Sequence, residues 1–243
     1  VLDLSVVIPV YNEEENLPLL WPELRRVLED MRVSFEVLMV DDGSQDRSAD
    51  IIREFGEADP RVRLVRLKVN SGETAATDAG LKRVRGRHVV TMDADLQNDP
   101  ADIPALVSQL ARWDAVTGWR VKREDSAVRR LSSRIANAVR NTLSEEDIRD
   151  SGCTFRAFRR ECLRGLVLYR GLHRFIPTLL RMRGYRVTEM PVNHRPRRYG
   201  RSKYGIGNRA FVAFVDLLVI RWMKSRDLRY EVAEDVGGEP IDE

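Results

Sequence analysis

Four apolar runs, each followed by a segment with helical spacing, fill the first half of this 243-residue chain and narrow its fold more than any other feature. LSVVIPVYN reads as a buried strand that breaks at a turn, and between Glu13 and Asp30 the leucines Leu17, Leu20, Leu24 and Leu28 recur at helical spacing. FEVLMVDDGS is a second strand ending in acids and a glycine, followed by the helix SADIIREFG, which is expected to stop at Gly56. VRLVRL is the third strand, with a turn at Gly72 and an alanine-rich helix from Thr74 to Val84; HVVTMDADLQ and IPALVSQLA make the fourth pair. Strands that are apolar throughout are covered on both faces. The pattern therefore predicts an α/β fold with a mostly parallel central sheet and helices on both sides.

In such sheets ligands bind beyond the carboxyl ends of the strands. Polar clusters stand there: Tyr11, Asn12 and Glu13 after the first strand, Asp41 and Asp42 after the second, and Asp93 to Gln97 after the fourth. TMDADLQ sets two carboxylates and a carboxamide at alternate positions, and an extended chain would turn Asp93, Asp95 and Gln97 to one side. Oxygen ligands without Cys or His suit Mg2+ or Mn2+, which in enzymes commonly hold phosphates. The competing reading is an acidic turn whose aspartates cap the helix from Ile103 onward. No GxGxxG follows the first strand and no GxxxxGK[ST] occurs, so dinucleotide oxidoreductases and P-loop enzymes lose ground.

A hydrophobic content of 43% is enough for a full core, and the length fits one large domain with a C-terminal extension. Cys153 and Cys162 match no zinc or redox spacing, which favours a reducing, cytoplasmic setting. There is no basic and apolar leader and no apolar run of about 20 residues, so neither secretion nor a membrane span is expected. The net charge of +3 hides an asymmetry: residues 227–243 carry seven acids and one Arg, a balance of −6, which leaves +9 for the rest. Between Met190 and Val215 stand Arg195, Arg197, Arg198, Arg201, Lys203 and Arg209 and no acid. Such a patch expects phosphate on a nucleotide, nucleic acid or membrane, or is simply a solvated face. Phe211, Phe214, Val215, Leu218 and Trp222 recur at helical spacing beside Arg209, Arg221 and Lys224. That helix either packs on its own core or lies in a lipid headgroup region. The tail from Glu231 is acidic and expected to be disordered.

Seven motifs in order, IPVYNEEENL, VDDGSQD, MDADLQNDP, GWR, RRLSSRIAN, SGCTFRAFR and RRYGRSKYG, resemble the inverting family 2 glycosyltransferases of GT-A fold. Within them the chain is similar to the polyprenyl-phosphate sugar synthases, the group of dolichol-phosphate mannose synthase, up to about Trp222. The resemblance implies one GT-A domain over 1–226, with 209–224 as a membrane-interface helix and 227–243 as a disordered tail. It implies that Pro9, Tyr11, Glu13, Val40 and Asp42 line the pocket for base and ribose. Asp93, the Ala94 carbonyl, Asp95 and Gln97 then match the motif that bridges Mg2+ or Mn2+ to a nucleotide-sugar diphosphate. Arg197, Ser202 and Lys203 match the basic loop that closes over those phosphates. Arg120, Arg129 and Ser133 match the contacts to a lipid phosphate, with Asp95, Arg120 and Arg129 as the catalytic group.

The implied activity is metal-dependent inverting transfer of a hexose-type sugar from a nucleoside diphosphate to a polyprenyl phosphate at the cytoplasmic membrane face. A phosphate monoester is largely dianionic near neutral pH, so no dedicated base is required. His88, His173 and His194 are accordingly read as structural. GWR has Trp where the family commonly has Ser, and SGCTFRAFR is also similar to the bacterial aminoarabinose and glucosyl transferases, whose usual pair of transmembrane helices is missing here. The acidic tail favours a peripheral protein. GDP-mannose, UDP-glucose, UDP-N-acetylglucosamine and UDP-uronic acids stay open as donors. The same fold acting on a hydroxyl of a glycan or lipid is the runner-up, a silent sugar-nucleotide-binding protein ranks lower, and a nucleic-acid partner is not expected because it leaves the acidic strand ends unexplained.

Overall fold

The computed structural model describes residues 2–121, 148–150, 152–199 and 206–226, with the side chains of 206–214 left aside, together with the single positions 228 and 234. In chain order the elements are β1 (Leu4–Val10), α1 (Leu17–Asp30), β2 (Phe35–Asp41), α2 (Ser48–Ala58), β3 (Val62–Arg66), α3 (Glu73–Leu81), β4 (His88–Thr91), α4 (Ile103–Gln109), β5 (Ala115–Arg120), β6 (Arg156–Arg159), α5 (Ile176–Met182), β7 (Val187–Val192) and α6 (Ile206–Ser225). Seven strands form one sheet in the order β3-β2-β1-β4-β6-β5-β7. β3, β2, β1 and β4 are mutually parallel, β7 is parallel to β5, and β6 runs antiparallel to both β4 and β5. The sheet is thus mostly parallel, with one reversed strand at its centre.

Alternation along the strands divides the core between the two faces. Val6, Ile8 and Val10 of β1 with Val37 and Met39 of β2 join Leu17, Leu20, Leu24 and Leu28 of α1, Ile51 and Ile52 of α2, and Ile103 and Leu106 of α4. Val7, Leu38 and Val40 face the other way, against Ala76 and Leu81 of α3, Leu179 and Leu180 of α5, and Leu217 and Ile220 of α6. Gly80 lets α3 sit close to the sheet: a Cβ there would come within 2.4 Å of Val7 Cγ1.

Several boundaries differ from those read in the sequence. α1 begins at Leu17 rather than Glu13, because residues 13–16 form a turn tied to the start of α2 by Glu13 N–H donating to Ser48 Oγ at 2.8 Å. α2 passes through Gly56 and ends at Ala58, where Asp59 turns extended ahead of Pro60. α3 covers Glu73–Leu81 and stops short of Val84. In α6, Leu217 and Ile220 are buried while Val215, Leu218, Val219 and Trp222 are exposed, so this stretch is apolar on both sides. Phe211 and Phe214 lie outside the described side chains. No described helix is long and apolar enough to cross a membrane.

Candidate active site

The carboxyl ends of β1, β2 and β4 open into a cavity of about 530 Å3, within the usual range of small-molecule sites. Pro9, Tyr11 and Glu13 leave β1 along its wall. The loop carrying them is stitched to the one after β2: Asn12 N–H donates to Ser44 Oγ at 2.9 Å, and Gln45 N–H donates to Asn12 Oδ1 at 2.8 Å. Asp42 lines the same wall and organises the loop after β3. Its Oδ1 accepts from Ser71 N–H at 2.7 Å, and its Oδ2 accepts from Gly72 N–H at 2.9 Å and Asn70 Nδ2 at 3.0 Å. The two loops approach so closely that a Cβ on Gly43, at φ +68°, would fall 2.7 Å from Asn70 N. A carboxylate offers about four lone-pair directions, so Asp42 keeps capacity toward the cavity. Val40 departs from the sequence expectation. It is fully buried, and its side chain belongs to the core cluster with Val7 and Ala76 on the α3 side of the sheet.

The acidic loop after β4 is not the extended segment its alternation suggested. Leu96 has φ 63°, and Asp95 Oδ1 accepts from Gln97 N–H at 3.1 Å, so Asp95 and Gln97 are brought together by a turn. Neither Asp93 nor Asp95 caps α4; Asp99 caps the short 3-10 turn Pro100–Asp102 ahead of it, accepting from Ala101 N–H at 3.0 Å. Asp93 Oδ2 accepts from Thr154 Oγ1 at 2.6 Å. Burial first, then the nearby charges of Glu73 and Asp95, push the Asp93 carboxyl up to about 7 against the Thr154 hydrogen bond.

The basic segment after β7 lies against this loop. Asn98 bridges to His194, Arg195 N–H donates to Gln97 O at 2.9 Å, and the Arg195 guanidinium pairs with Glu23 and Asp99 at 2.7 Å each. Arg197 then reaches in: its Nη2 donates to Asp95 Oδ2 at 2.5 Å and to Gln97 Oε1 at 3.2 Å. A cation of the chain itself therefore sits on two of the three oxygens expected to hold a metal, which shows that they converge on positive charge. Among the described residues there is no group of three His, Cys, Asp or Glu side chains placed to hold a metal. A hard cation here would rest on Asp93, Asp95, Gln97, the Ala94 carbonyl and phosphate oxygens, a donor set that fits Mg2+ or Mn2+.

Arg120, at the end of β5, lines the cavity and is held by Asp150 through Nε at 2.7 Å and Nη2 at 2.8 Å, a bidentate fork. Arg129, Ser133, Ser202 and Lys203 lie outside the described residues. Asn70, Gly72, Glu73, Gly152, Thr154, His173 and Arg174 also line the cavity and were not singled out as site residues. Thr154 stands inside the quoted SGCTFRAFR motif, and Glu73 follows the NSG turn at the third strand end, so both carried a sequence signal. His173, read from the sequence as structural, carried none; it stands on the cavity wall beside Thr74 and Glu73. His194 contacts the site loop too, its Nε2 lying 3.3 Å from Gln97 Nε2.

Comparisons with known proteins place the chain in a family. The family model described as "Glycosyl transferase family 2" matches residues 5–167. A dodecaprenyl-phosphate galacturonate synthase of Rhizobium johnstonii is 37% identical over 225 residues, covering 90% of this chain and 66% of that protein. An undecaprenyl-phosphate 4-deoxy-4-formamido-L-arabinose transferase of Edwardsiella ictaluri is 39% identical over 204 residues, covering 83% of this chain and 63% of that one. The chain thus spans just under two thirds of the length of these relatives. Among solved structures, glucosyl-3-phosphoglycerate synthase from Mycobacterium tuberculosis, in complex with Mn2+, UDP-glucose and phosphoglyceric acid, superposes with a TM-score of 0.70 at 20% identity over 91% of this chain and 80% of that one. That likeness shows the fold, which is of the GT-A type. With its strand-end cavity, its acidic loop and a family match over 5–167, the chain belongs to glycosyl transferase family 2.

Proposed function

We propose that this chain carries out metal-dependent, inverting transfer of a hexose-type sugar from a nucleoside diphosphate, GDP- or UDP-linked, to a polyprenyl phosphate, working peripherally at the cytoplasmic face of a membrane. The observation that carries the reading is one cavity in which Asp93, Asp95 and Gln97 stand together with Arg120 and Arg197. The names of the two relatives, which act on dodecaprenyl and undecaprenyl phosphates, support the acceptor class.

Pro9, Tyr11, Glu13 and Asp42 take the base and ribose. Asp93, Asp95, Gln97 and the Ala94 carbonyl hold Mg2+ or Mn2+, which when bound neutralises charge on the departing diphosphate. Arg197, with Ser202 and Lys203 farther along the same segment, adds positive charge to those phosphates. Arg120, with Arg129 and Ser133, grips the acceptor phosphate and leaves one oxygen free. That oxygen bonds to the anomeric carbon as the carbon–oxygen bond to the diphosphate breaks; attack from the opposite face inverts the centre. The nucleophile arrives ionised, so the residues need only orient it and exclude water. Val215, Leu218, Val219 and Trp222, exposed on α6 beside Arg221, suit a headgroup region and support the membrane assignment.

Radiolabelled nucleotide-sugars incubated with a short-chain polyprenyl phosphate and Mn2+ test this reading. Label is expected to appear in the lipid phosphate fraction. Transfer to a glycan or lipid hydroxyl instead would move the acceptor to the runner-up class. Nucleotide binding without transfer from any donor would make the protein a sugar-nucleotide-binding one.

A further inference from the structure

The basic segment after β7 carries a guanidinium that the reaction proposed above does not use. Arg195 forks onto Glu23 of α1, with Nη1 donating to Oε2 at 2.9 Å and Nη2 to Oε1 at 2.7 Å, and Nη2 also reaches Asp99 Oδ1 at 2.7 Å. Arg197 lines the cavity and Arg195 does not. The Arg195 fork is filled by two carboxylates, so it is Arg197 that faces a phosphate.

What these three side chains hold is a joint between two loops. The main-chain pairing there is one isolated antiparallel bridge, Asn98 to His194, beside the hydrogen bond from Arg195 N–H to Gln97 O at 2.9 Å. Asn193 adds a second tether, its N–H and Nδ2 donating to Asp102 at 2.7 and 3.0 Å. Asp99 ties the clamp into the acidic loop, because the Oδ1 that takes Arg195 also accepts from Ala101 N–H at 3.0 Å. Gln97 stands two residues before Asp99, and Arg197 stands two residues after Arg195, across Pro196, whose ring fixes its φ. From there Arg197 spans Asp95 and Gln97. A partly exposed ion pair of this kind adds only about 0.2–1 kcal/mol to the stability of a fold. The joint therefore matters more for where Gln97 and Arg197 stand than for whether the chain folds.

We infer that Arg195 is a positioning residue: by bridging Glu23 of α1 to Asp99 it keeps Gln97 and Arg197 in register with Asp95, and so sets the affinity for a metal-bound diphosphate while touching neither metal nor phosphate. This inference rests on the metal and nucleotide-sugar reading of the cavity. Its consequence is selective. The loops carrying Tyr11, Glu13 and Asp42 are stitched together by hydrogen bonds of their own, which the clamp does not share. Nucleotide binding without metal should survive loss of the clamp.

Calorimetric binding of UDP to the full chain, with Mn2+ and with a chelator in its place, tests the inference; GDP replaces UDP should the protein prefer guanosine. Arg195→Met is expected to reduce the Mn2+-dependent gain in affinity about tenfold and to leave binding in chelator within about twofold of wild type. Glu23→Gln should lower the same gain about threefold on its own and add nothing to Arg195→Met, since the two side chains act as one unit. Equal losses with and without Mn2+, a Mn2+-dependent gain that Arg195→Met leaves unchanged, or additive losses in the double variant would overturn the positioning role while leaving the site standing. A wild type whose UDP and GDP affinities do not respond to Mn2+ would overturn the metal reading together with it.

Discussion

The two sides of the sheet's centre build their share of the cavity in different ways. On the β1 to β4 side, site residues sit at the ends of parallel, buried strands and are fixed by loop backbones; Asp42 alone orders three donors of the loop after β3. On the β5 to β7 side the strands run in mixed directions, and the site residues are held by ion pairs: Arg120 with Asp150, Arg174 with Asp216 and Arg197 with Asp95. Main-chain geometry tolerates little change, whereas a side-chain pair can be exchanged for another. The contrast sets backbone-fixed residues on the first side against side-chain-paired ones on the second.

Substitutions on each side measure that contrast. Asp95→Ala is expected to have the largest effect, lowering transfer by about 10^3-fold or more and abolishing the Mn2+-dependent rise in melting temperature while the fold persists. A modest loss would remove Asp95 from the metal set. On the other side, Arg120→Ala should cost about 3 kcal/mol of stability, because it removes the bidentate partner of the largely buried Asp150. Denaturant unfolding of Arg120→Ala with Asp150→Ala should recover most of that loss but not the acceptor affinity. If the double variant is as unstable as the single one, side-chain pairing is not what holds this half.

Val40→Ala separates support from contact within the first half. It should lower stability by about 2 kcal/mol through a core cavity and leave nucleotide affinity unchanged. A matching loss of affinity would return Val40 to the binding surface. The smallest effect expected is a gain. Asp93→Asn should stabilise the metal-free protein near pH 7.5 by on the order of 1 kcal/mol, since it removes a charge that burial and Glu73 disfavour. Because that carboxyl titrates near 7 when folded and near the ordinary 3.8 when unfolded, metal-free wild type should lose stability relative to the variant as pH rises from about 4 to 7. A pH-independent difference in melting temperature between the two would show that Asp93 carries no such burden.

What the sequence made legible follows the same division. The first four strands were readable because burial on both faces leaves unbroken apolar runs, and their polar ends marked the cavity. The reversal of β6 left no such trace, since a strand's direction depends on partners that its own four residues do not encode. Helix starts were misplaced where polar residues serve a neighbouring loop, as at Glu13, whose N–H is used by Ser48. Val40 was assigned by its proximity to Asp42, although its side chain is fully buried in the core on the α3 side of the sheet. Glu73 was passed over despite the turn before it, and His173 was read only as structural, because their contact joins residues 100 apart, where local pattern has no reach.

The sheet order also bears on how the chain acquires its structure. β4 ends the run of consecutive parallel pairings and finds its second neighbour only in β6, more than sixty residues later. During synthesis that edge stands open, with β1 to β4 able to pair and nothing yet to cover the far side of β4. Closure is later still for the cavity, whose loops are clamped by Arg195 to Glu23 across 172 residues. Contacts of such separation favour slow assembly. An incomplete chain would hold the β1 to β4 wall of the cavity, and the opposing wall would appear only when the last strand is in place.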